Sequence, residues 1–263
     1  MARYEVSYCL ICDIGKIRKI NQDNFIADGV YLKNHESSMG EPLRGESDAG
    51  KDLLLGVFDG MGGEECGEMA SLIASECAAR TVRADGTAPV DLLLDLCTRA
   101  NERIYRYAAD NNIESMGTTG AMLYFSKDGI SLCNIGDSRI FRFVSGELKQ
   151  ISIDHVAPYK IGGKPPLSQN LGIPPEEMQI DPYVATGEYW DGDVYLICSD
   201  GLTDMVQEDE IARVLSAYSI WDAVPKLLRE AIENGGKDNI TIILCRVKKK
   251  RSGFFDLFGR QRR

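Results

Sequence analysis

The sequence predicts an α+β protein in which two antiparallel β-sheets pack face to face and a helix pair covers each outer side, a four-layer α-β-β-α sandwich. Three observations support this prediction. Short apolar, β-branched runs bounded by turn residues are typical of buried strands. Only a few Gly, Asp or Ser residues separate the central strands, which favours antiparallel hairpins. The elements follow the order strands, two helices, several strands, two helices and a strand, which suits layered packing.

The first half of the chain begins with strands and continues with helices. Strands are predicted at residues 6–12 and 24–31. An exposed loop is predicted at residues 35–51, which are rich in Gly, Ser and Glu. A helix is expected after the glycine turn at 60–63, and a second one after Pro89. Small residues recur at helical spacing in the first helix and suit close packing on a sheet. They are Ala70, Ile73, Ala74, Cys77 and Ala78.

The second half contains a series of strands and then a long insertion. Residues 154–188 include six prolines and are predicted to be irregular, and loops of this length are often functional. The strands expected before it cover residues 119–125, 130–135, 140–144 and 148–151. The elements expected after it are a strand at 193–198, helices at 207–217 and 221–233, and a last strand that starts at 240.

The composition describes an ordinary globular chain. Its 263 residues are 44% hydrophobic and 27% charged, which suits a folded domain and argues against a disordered chain. The formal net charge of −10 argues against a general nucleic-acid binder. Neither a signal peptide nor an apolar run long enough to span a membrane is visible. The eight scattered cysteines are typical of buried thiols in a reducing cytosol, so we expect a cytoplasmic protein.

Three aspartates stand at the ends of apolar runs. Asp59 and Asp200 each follow a predicted strand, and Asp238 precedes one. Each alone is compatible with a turn residue or a helix cap, but strand ends that are distant in sequence can meet at one edge of a sheet. Clustered carboxylates repel unless cations neutralise them, and hard divalent cations prefer oxygen ligands. The joint pattern predicts a magnesium or manganese site that activates water and clamps a phosphoryl group.

A basic loop lies between the first two predicted strands. Residues 15–23 contain Arg18 between lysines and end at Asp23. The guanidinium fork of an arginine suits a phosphate dianion better than a lysine does. A solvated hairpin loop is the alternative interpretation.

Six short motifs follow one another along the chain. They are GKIRKINQDNF at 15–25, FDGMGG at 58–63, MGTTG at 116–120, NIGDSR at 134–139, CSDGLTD at 198–204 and GGKDNIT at 235–241. Each motif is weak alone. Six of them in order resemble the metal-dependent protein phosphatase family (PPM, the type 2C serine/threonine phosphatases), especially its compact bacterial members. The resemblance extends over about residues 6–247, so we expect a single catalytic domain at 1–247.

The resemblance implies a centre of two metal ions, Mn²⁺ or Mg²⁺. Asp59 matches the carboxylate that bridges the ions, and the backbone carbonyl of Gly60 matches a ligand of one of them. Asp200 and Asp238 match ligands of the other ion. Together with Asp200, two further aspartates match a third, weaker metal site of some members. They are Asp137 and Asp204.

The resemblance also implies how the substrate is handled. Arg18 matches the arginine that grips the substrate phosphate, and Asp23 matches an acid that hydrogen-bonds metal-bound water. A metal-bridging hydroxide would attack phosphorus directly, without a phosphoenzyme.

Two positions depart from the family pattern. Met61 stands where many eukaryotic members have a histidine that is proposed as general acid, and a thioether cannot donate a proton. Gln22 stands where many members have a glutamate that holds a metal through water. Neither change removes a direct ligand, so activity is still expected.

Two segments lie outside this catalytic pattern. Residues 154–188 correspond to the family's flap, with Ser168 in its core, and are expected to shape substrate access, although a plain surface loop is the alternative. The tail at 248–263 has seven basic residues and three phenylalanines. Such a segment suits an anionic membrane surface or an acidic partner. A frayed, solubilising end is the simpler interpretation, and packing on the acidic body of the chain is a further alternative.

The expected function is hydrolysis of phosphoserine and phosphothreonine in phosphoproteins, with a cognate serine/threonine kinase or its targets among the substrates. The protein is expected to be a monomer and to bind no nucleic acid. Two alternatives stay open. One is a catalytically weak regulatory member that binds phosphoproteins or metal, and the other is a scaffold that the tail attaches to a membrane or partner.

Overall fold

The computed structural model describes residues 4–34, 38–61, 66–161 and 164–250, which form two antiparallel sheets and five helices. Sheet A has the spatial order β3 (Leu43–Asp48), β1 (Tyr4–Asp13), β12 (Ile240–Lys249), β11 (Val194–Cys198), β8 (Arg139–Val144) and β9 (Glu147–Gln150). Sheet B has the order β10 (Tyr183–Gly187), β7 (Gly129–Ile135), β6 (Gly120–Ser126), β4 (Leu53–Met61) and β2 (Asp23–Ala27), and β5 (Gly117–Thr118) pairs with the end of β4.

The helices lie on the outer faces of the two sheets. Sheet B carries α1 (Gly67–Ala79) and α2 (Pro89–Asp110), and sheet A carries α4 (Glu208–Ala217) and α5 (Ile220–Glu233). A single helical turn, α3 (Asp200–Thr203), follows β11 directly. None of these helices is long and apolar enough to cross a membrane.

Side-chain alternation along the strands divides the core into three layers. In β11, Tyr195 and Ile197 pack between the sheets, whereas Leu196 and Cys198 pack against the helices on sheet A, as the period of two in a strand requires. A third layer joins sheet B to α1 and α2. The predicted four-layer sandwich is therefore confirmed.

Several predicted boundaries were wrong. The expected loop at 35–51 contains strand β3 and a 3₁₀ turn at Ala49–Lys51. The strand expected at 24–31 ends at Ala27, because Asp28 takes a positive φ of 51° and begins a tight turn. The insertion at 154–188 includes strand β10 at its end.

The domain also extends beyond residue 247. Strand β12 continues to Lys249, and the ammonium of Lys250 lies 3.1 Å from the carboxylate of Asp48. The first residues of the expected tail are thus part of sheet A. Its remaining residues, 251–263, lie outside the described part of the chain.

Candidate active site

The predicted carboxylates meet at one edge of the sandwich. Asp59 in β4 lies opposite Asp23 in β2 in the strand pairing. Asp200 opens helix α3 at the end of β11, and Asp238 lies two residues before β12. A pocket of about 300 Å³ at this edge is lined by Asp59, Asp200 and Asp238, together with Asp137.

Asp23 is buried beneath this pocket. Its Oδ2 accepts hydrogen bonds of 2.7 Å from the hydroxyls of Ser199 and Thr241. Its Oδ1 has no hydrogen-bond partner among the described residues. Burial raises the pKa of Asp23 to about 6, although the two hydroxyls oppose this shift. Ser199 and Thr241 stand inside the motifs at 198–204 and 235–241, but nothing in the sequence indicates that they hold Asp23.

Asp59 is buried and lies near several other acids. Burial raises its pKa well above the ordinary value, and the charges of Asp23, Asp137 and Asp238 raise it further. Burial also raises the pKa of Asp137. The backbone nitrogen of Asp59 donates to the hydroxyl of Thr119 over 3.0 Å, which fixes the end of β4. The edge therefore favours the binding of positive charge.

Two basic side chains supply part of that charge. The guanidinium of Arg18 donates to Oδ2 of Asp238 over 2.7 Å. The ammonium of Lys164 contacts the carboxylate of Asp200 and lies 3.4 Å from that of Asp204. It also lies 4.0 Å from that of Asp137. Lys164 was not predicted as a site residue. It belongs to the irregular insertion, and only the folded conformation of this flap brings it to the site.

The donor set fits divalent cations. Arg18 pairs with Asp238 and Lys164 with Asp200. Among the described residues, no three His, Cys, Asp or Glu side chains form a preassembled metal cluster. The raised pKa values and the unpaired oxygen of Asp23 show a shortage of positive charge. Carboxylate oxygens without nitrogen or sulfur ligands suit Mg²⁺ or Mn²⁺.

Gly60 has no room for a side chain. A Cβ at this position would collide with the backbone carbonyls of Gly67 and Gln22. The nitrogen of Gly60 donates to the carbonyl of Gln22 over 3.0 Å, and the amide of Gln22 lies 3.3 Å from the carboxylate of Glu68. Glycine thus allows α1 to begin directly against the site, and Glu68 adds an acid that the sequence analysis missed.

Asn239 holds the basic loop in place. Its amide nitrogen donates to the carbonyls of Ile14 and Ile20 over 2.9 and 3.1 Å. Its amide oxygen accepts from the backbone nitrogen of Gln22 over 2.9 Å. Asn239 is buried, so these bonds fix the loop that presents Arg18. The motif at 235–241 contains Asn239, but only the folded contacts show its role.

The structure does not bring Ser168 into the acidic pocket. Ser168 lines an adjacent cavity of about 980 Å³ that meets the pocket at Met61 and Leu167. Its backbone nitrogen donates to the carbonyl of His155 over 2.9 Å. His155 in turn bonds through its own backbone to Gly136, so it anchors the flap and is not a pocket residue.

Comparison with known proteins connects this edge to a family. The family model described as protein phosphatase 2C matches residues 43–234. The chain belongs to the protein phosphatase 2C family. The matched range includes Asp59, Asp137, Asp200 and Asp204, whereas Arg18 and Asp238 lie outside it and join the site through their contacts.

Bacterial serine/threonine phosphatases are among the relatives of this protein phosphatase 2C chain. The serine/threonine protein phosphatase PstP of Mycobacterium tuberculosis is 31% identical over 83% of the chain. The match covers 43% of PstP, so the chain spans less than half the length of that relative. The serine/threonine phosphatase stp of Listeria welshimeri is 28% identical, and the match covers 88% of the chain and 92% of stp.

A solved structure places metal ions on the same fold. The catalytic domain of PstP in complex with two manganese ions superposes with a TM-score of 0.74 at 25% identity, over 94% of the chain and all of that domain. The chain is thus a bacterial-type member of a family of serine/threonine protein phosphatases whose fold holds two manganese ions in PstP.

Proposed function

We propose that this chain hydrolyses phosphoserine and phosphothreonine in phosphoproteins with the aid of two Mn²⁺ or Mg²⁺ ions. The observation that carries the proposal is the meeting of Asp59, Asp200 and Asp238 with Arg18 in one pocket of a protein phosphatase 2C fold. A serine/threonine kinase and its targets are the substrate proteins that we expect.

The aspartates would hold the ions. The charges of Asp23, Asp137 and Asp238 all raise the pKa of Asp59. Asp59 is therefore the carboxylate that we assign to both ions, with the Gly60 carbonyl beside it. Asp200 and Asp238 would bind one of them. Bound ions would activate a water molecule as the nucleophile and neutralise charge on the phosphoryl group. Asp23, held by Ser199 and Thr241, would orient water at the base of the pocket.

Arg18 would position the phosphate. Its guanidinium is about half exposed and pairs with Asp238. A cation on Asp238 would weaken this pair and leave the planar fork free for two phosphate oxygens. A third, weaker cation would bind Asp137 and Asp204 together with Asp200, the three acids that surround Lys164.

The proton for the leaving serine or threonine oxygen would come from water. The pocket is lined by no histidine among the described residues. Met61 lines it instead, and a thioether carries no proton to donate. Gln22 is neutral and pairs with Glu68, so position 22 lacks the negative charge of the family glutamate and would hold a metal more weakly.

Phosphate release from a phosphothreonine peptide tests the proposal. We expect turnover with Mn²⁺, none with EDTA, and a loss of at least about a hundredfold in Asp59→Asn, the size typical of a group that stabilises transition-state charge. Asp110→Asn, an exposed substitution at the end of α2, is the matched control and should keep full activity.

Manganese binding without turnover would instead favour a regulatory member that binds phosphoproteins. Turnover that persists in EDTA or in Asp59→Asn would contradict the assigned site.

A further inference from the structure

A second cavity lies between the two sheets, away from the acidic pocket. Its volume is about 410 Å³, and it shares no lining residue with that pocket. It opens where β8 and β9 of sheet A face β7 and β10 of sheet B. The wall on sheet B is largely apolar and includes Leu123, Ile130, Leu132, Tyr183 and Ala185, with Thr186 and Gly187 at the end of β10.

The opposite wall carries two cations where apolar residues are expected. In β8, Ile140 packs between the sheets while Phe141 and Phe143 pack toward the helices, so alternation directs Arg142 between the sheets. Lys149 in β9 is paired with Arg142 in the strand register. Both residues line the cavity. Like charges directly opposite each other destabilise a sheet, so this pair calls for a compensating anion.

The protein supplies only part of that compensation. Arg142 donates through Nη2 to Oδ2 of Asp193 over 2.7 Å. The same oxygen also accepts from the Tyr195 hydroxyl and the Trp190 nitrogen. The Nε of Arg142 is buried without a partner among the described residues, and the side chain of Lys149 makes no hydrogen bond or ion pair with any of them.

A purely structural role explains these features less well. An ion pair between Arg142 and Asp193 would need neither a second cation opposite it nor a cavity beside it. A buried donor without an acceptor destabilises a protein, and a ligand that accepts the bond removes this penalty. Glu188 also lines the cavity and is exposed like Lys149, but among the described residues it forms no ion pair with Arg142 or Lys149.

We propose that this cavity binds a small amphipathic anion, a carboxylate with an apolar body. The carboxylate would accept from Arg142 and Lys149, and the apolar body would lie against Leu132 and Ala185. A volume of about 410 Å³ falls within the range of roughly 300–1,000 Å³ that is typical of small-molecule sites.

The site lies at the base of the flap. Ile151 and Ile153 line the cavity just before the insertion at 154–188, and residues 183 and 185–188 line it at the end of the insertion. The proposed ligand would thus contact both ends of the flap. The site does not depend on the phosphatase reaction, and its test needs no turnover.

Calorimetric titration of octanoate into the metal-free full chain tests the proposal. We expect saturable 1:1 binding, and binding of the uncharged analogue octanamide that is weaker by about tenfold or more, which corresponds to about 1.4 kcal/mol. Ala185→Phe fills the cavity and should abolish the binding of both molecules. Lys149→Gln should weaken octanoate by about threefold or more and leave octanamide unchanged.

Lys127→Gln is the matched control, since this exposed lysine lies in the turn between β6 and β7 and does not line the cavity. It should bind octanoate like the unmodified chain. Three results would overturn the proposal: no saturable binding at millimolar octanoate, equal affinity for octanamide, or octanoate binding that neither Ala185→Phe nor Lys149→Gln weakens. If Ala185→Phe does not fold, the test relies on Lys149→Gln. The side chain of Lys149 is exposed, so this substitution should leave the fold intact.

Discussion

Replacing Asp23 by asparagine should stabilise the metal-free protein. The carboxyl is buried, and burial raises its pKa from 3.8 to about 6. Each tenfold change in proton affinity corresponds to about 1.4 kcal/mol, so keeping Asp23 ionised in the folded state costs about 3 kcal/mol near pH 7. Asparagine has the same shape and no charge. Its amide oxygen can still accept from Ser199 and Thr241, and its amide nitrogen can donate toward Asp59, which lies opposite in β4.

The effect should depend on pH with a definite sign. The folded state binds the Asp23 proton more tightly than the unfolded chain does. The stability that this proton contributes is therefore lost as pH rises from about 4 through about 6. We therefore expect Asp23→Asn to raise the free energy of unfolding by about 2–3 kcal/mol near pH 7 and by almost nothing near pH 4.

Urea denaturation in EDTA at several pH values measures this difference. Asp110→Asn, an exposed change, is the control and should stay within about 0.5 kcal/mol of the unmodified chain. A loss of stability in Asp23→Asn near pH 7, or a gain that does not shrink in acid, would refute the assignment of Asp23 as a buried, strained carboxylate.

Three further expectations follow from single contacts. Asn239→Ala removes three hydrogen bonds and should lower the free energy of unfolding by about 2–4 kcal/mol in urea titrations; a loss under about 0.5 kcal/mol would contradict its role in holding the basic loop. Lys164→Met removes the cation that contacts Asp200. Calorimetry should therefore show that Mn²⁺ binds about threefold more tightly or better. Weaker binding would instead show that the lysine assists metal binding. Of the eight cysteines, Cys66 is partly exposed and the other seven are buried. About one thiol should therefore react with Ellman's reagent in the native protein, and all eight should react in urea. Several thiols that react fast in the native protein would contradict the packing of the core.

The layered fold could be predicted because its strands carry local signals. Apolar, β-branched runs mark the strands that are buried on both faces, such as β11, where every residue is buried. Strand β3 has no such signal, because its residues LRGESD lie at the edge of sheet A and are only partly buried. It forms through backbone pairing with β1, which a pattern of side chains does not reveal.

The site could be predicted only in part. The strand-end positions of Asp59, Asp200 and Asp238 indicated a shared edge, and the resemblance named Arg18. Lys164 could not be predicted, because its position depends on how an irregular segment folds over the site.

Polar residues that act from beneath the surface were also missed. Ser199 and Thr241 look like ordinary turn and strand residues in the sequence, and only their 2.7 Å bonds to Asp23 distinguish them. The position of Arg142 could not be predicted either. That it lies between the sheets and opposite Lys149 is known only from the strand pairing.

Anomalous diffraction from crystals soaked in Mn²⁺ would show whether the clustered aspartates bind two ions. We expect two strong manganese peaks at the edge formed by the ends of β4 and β11, both in contact with the Asp59 carboxylate and one also in contact with Asp200 and Asp238. Crystals of Asp59→Asn should lose at least one of the peaks. Manganese that binds elsewhere, or the absence of any peak at this edge while Arg18 and Lys164 stay on Asp238 and Asp200, would contradict the two-ion site.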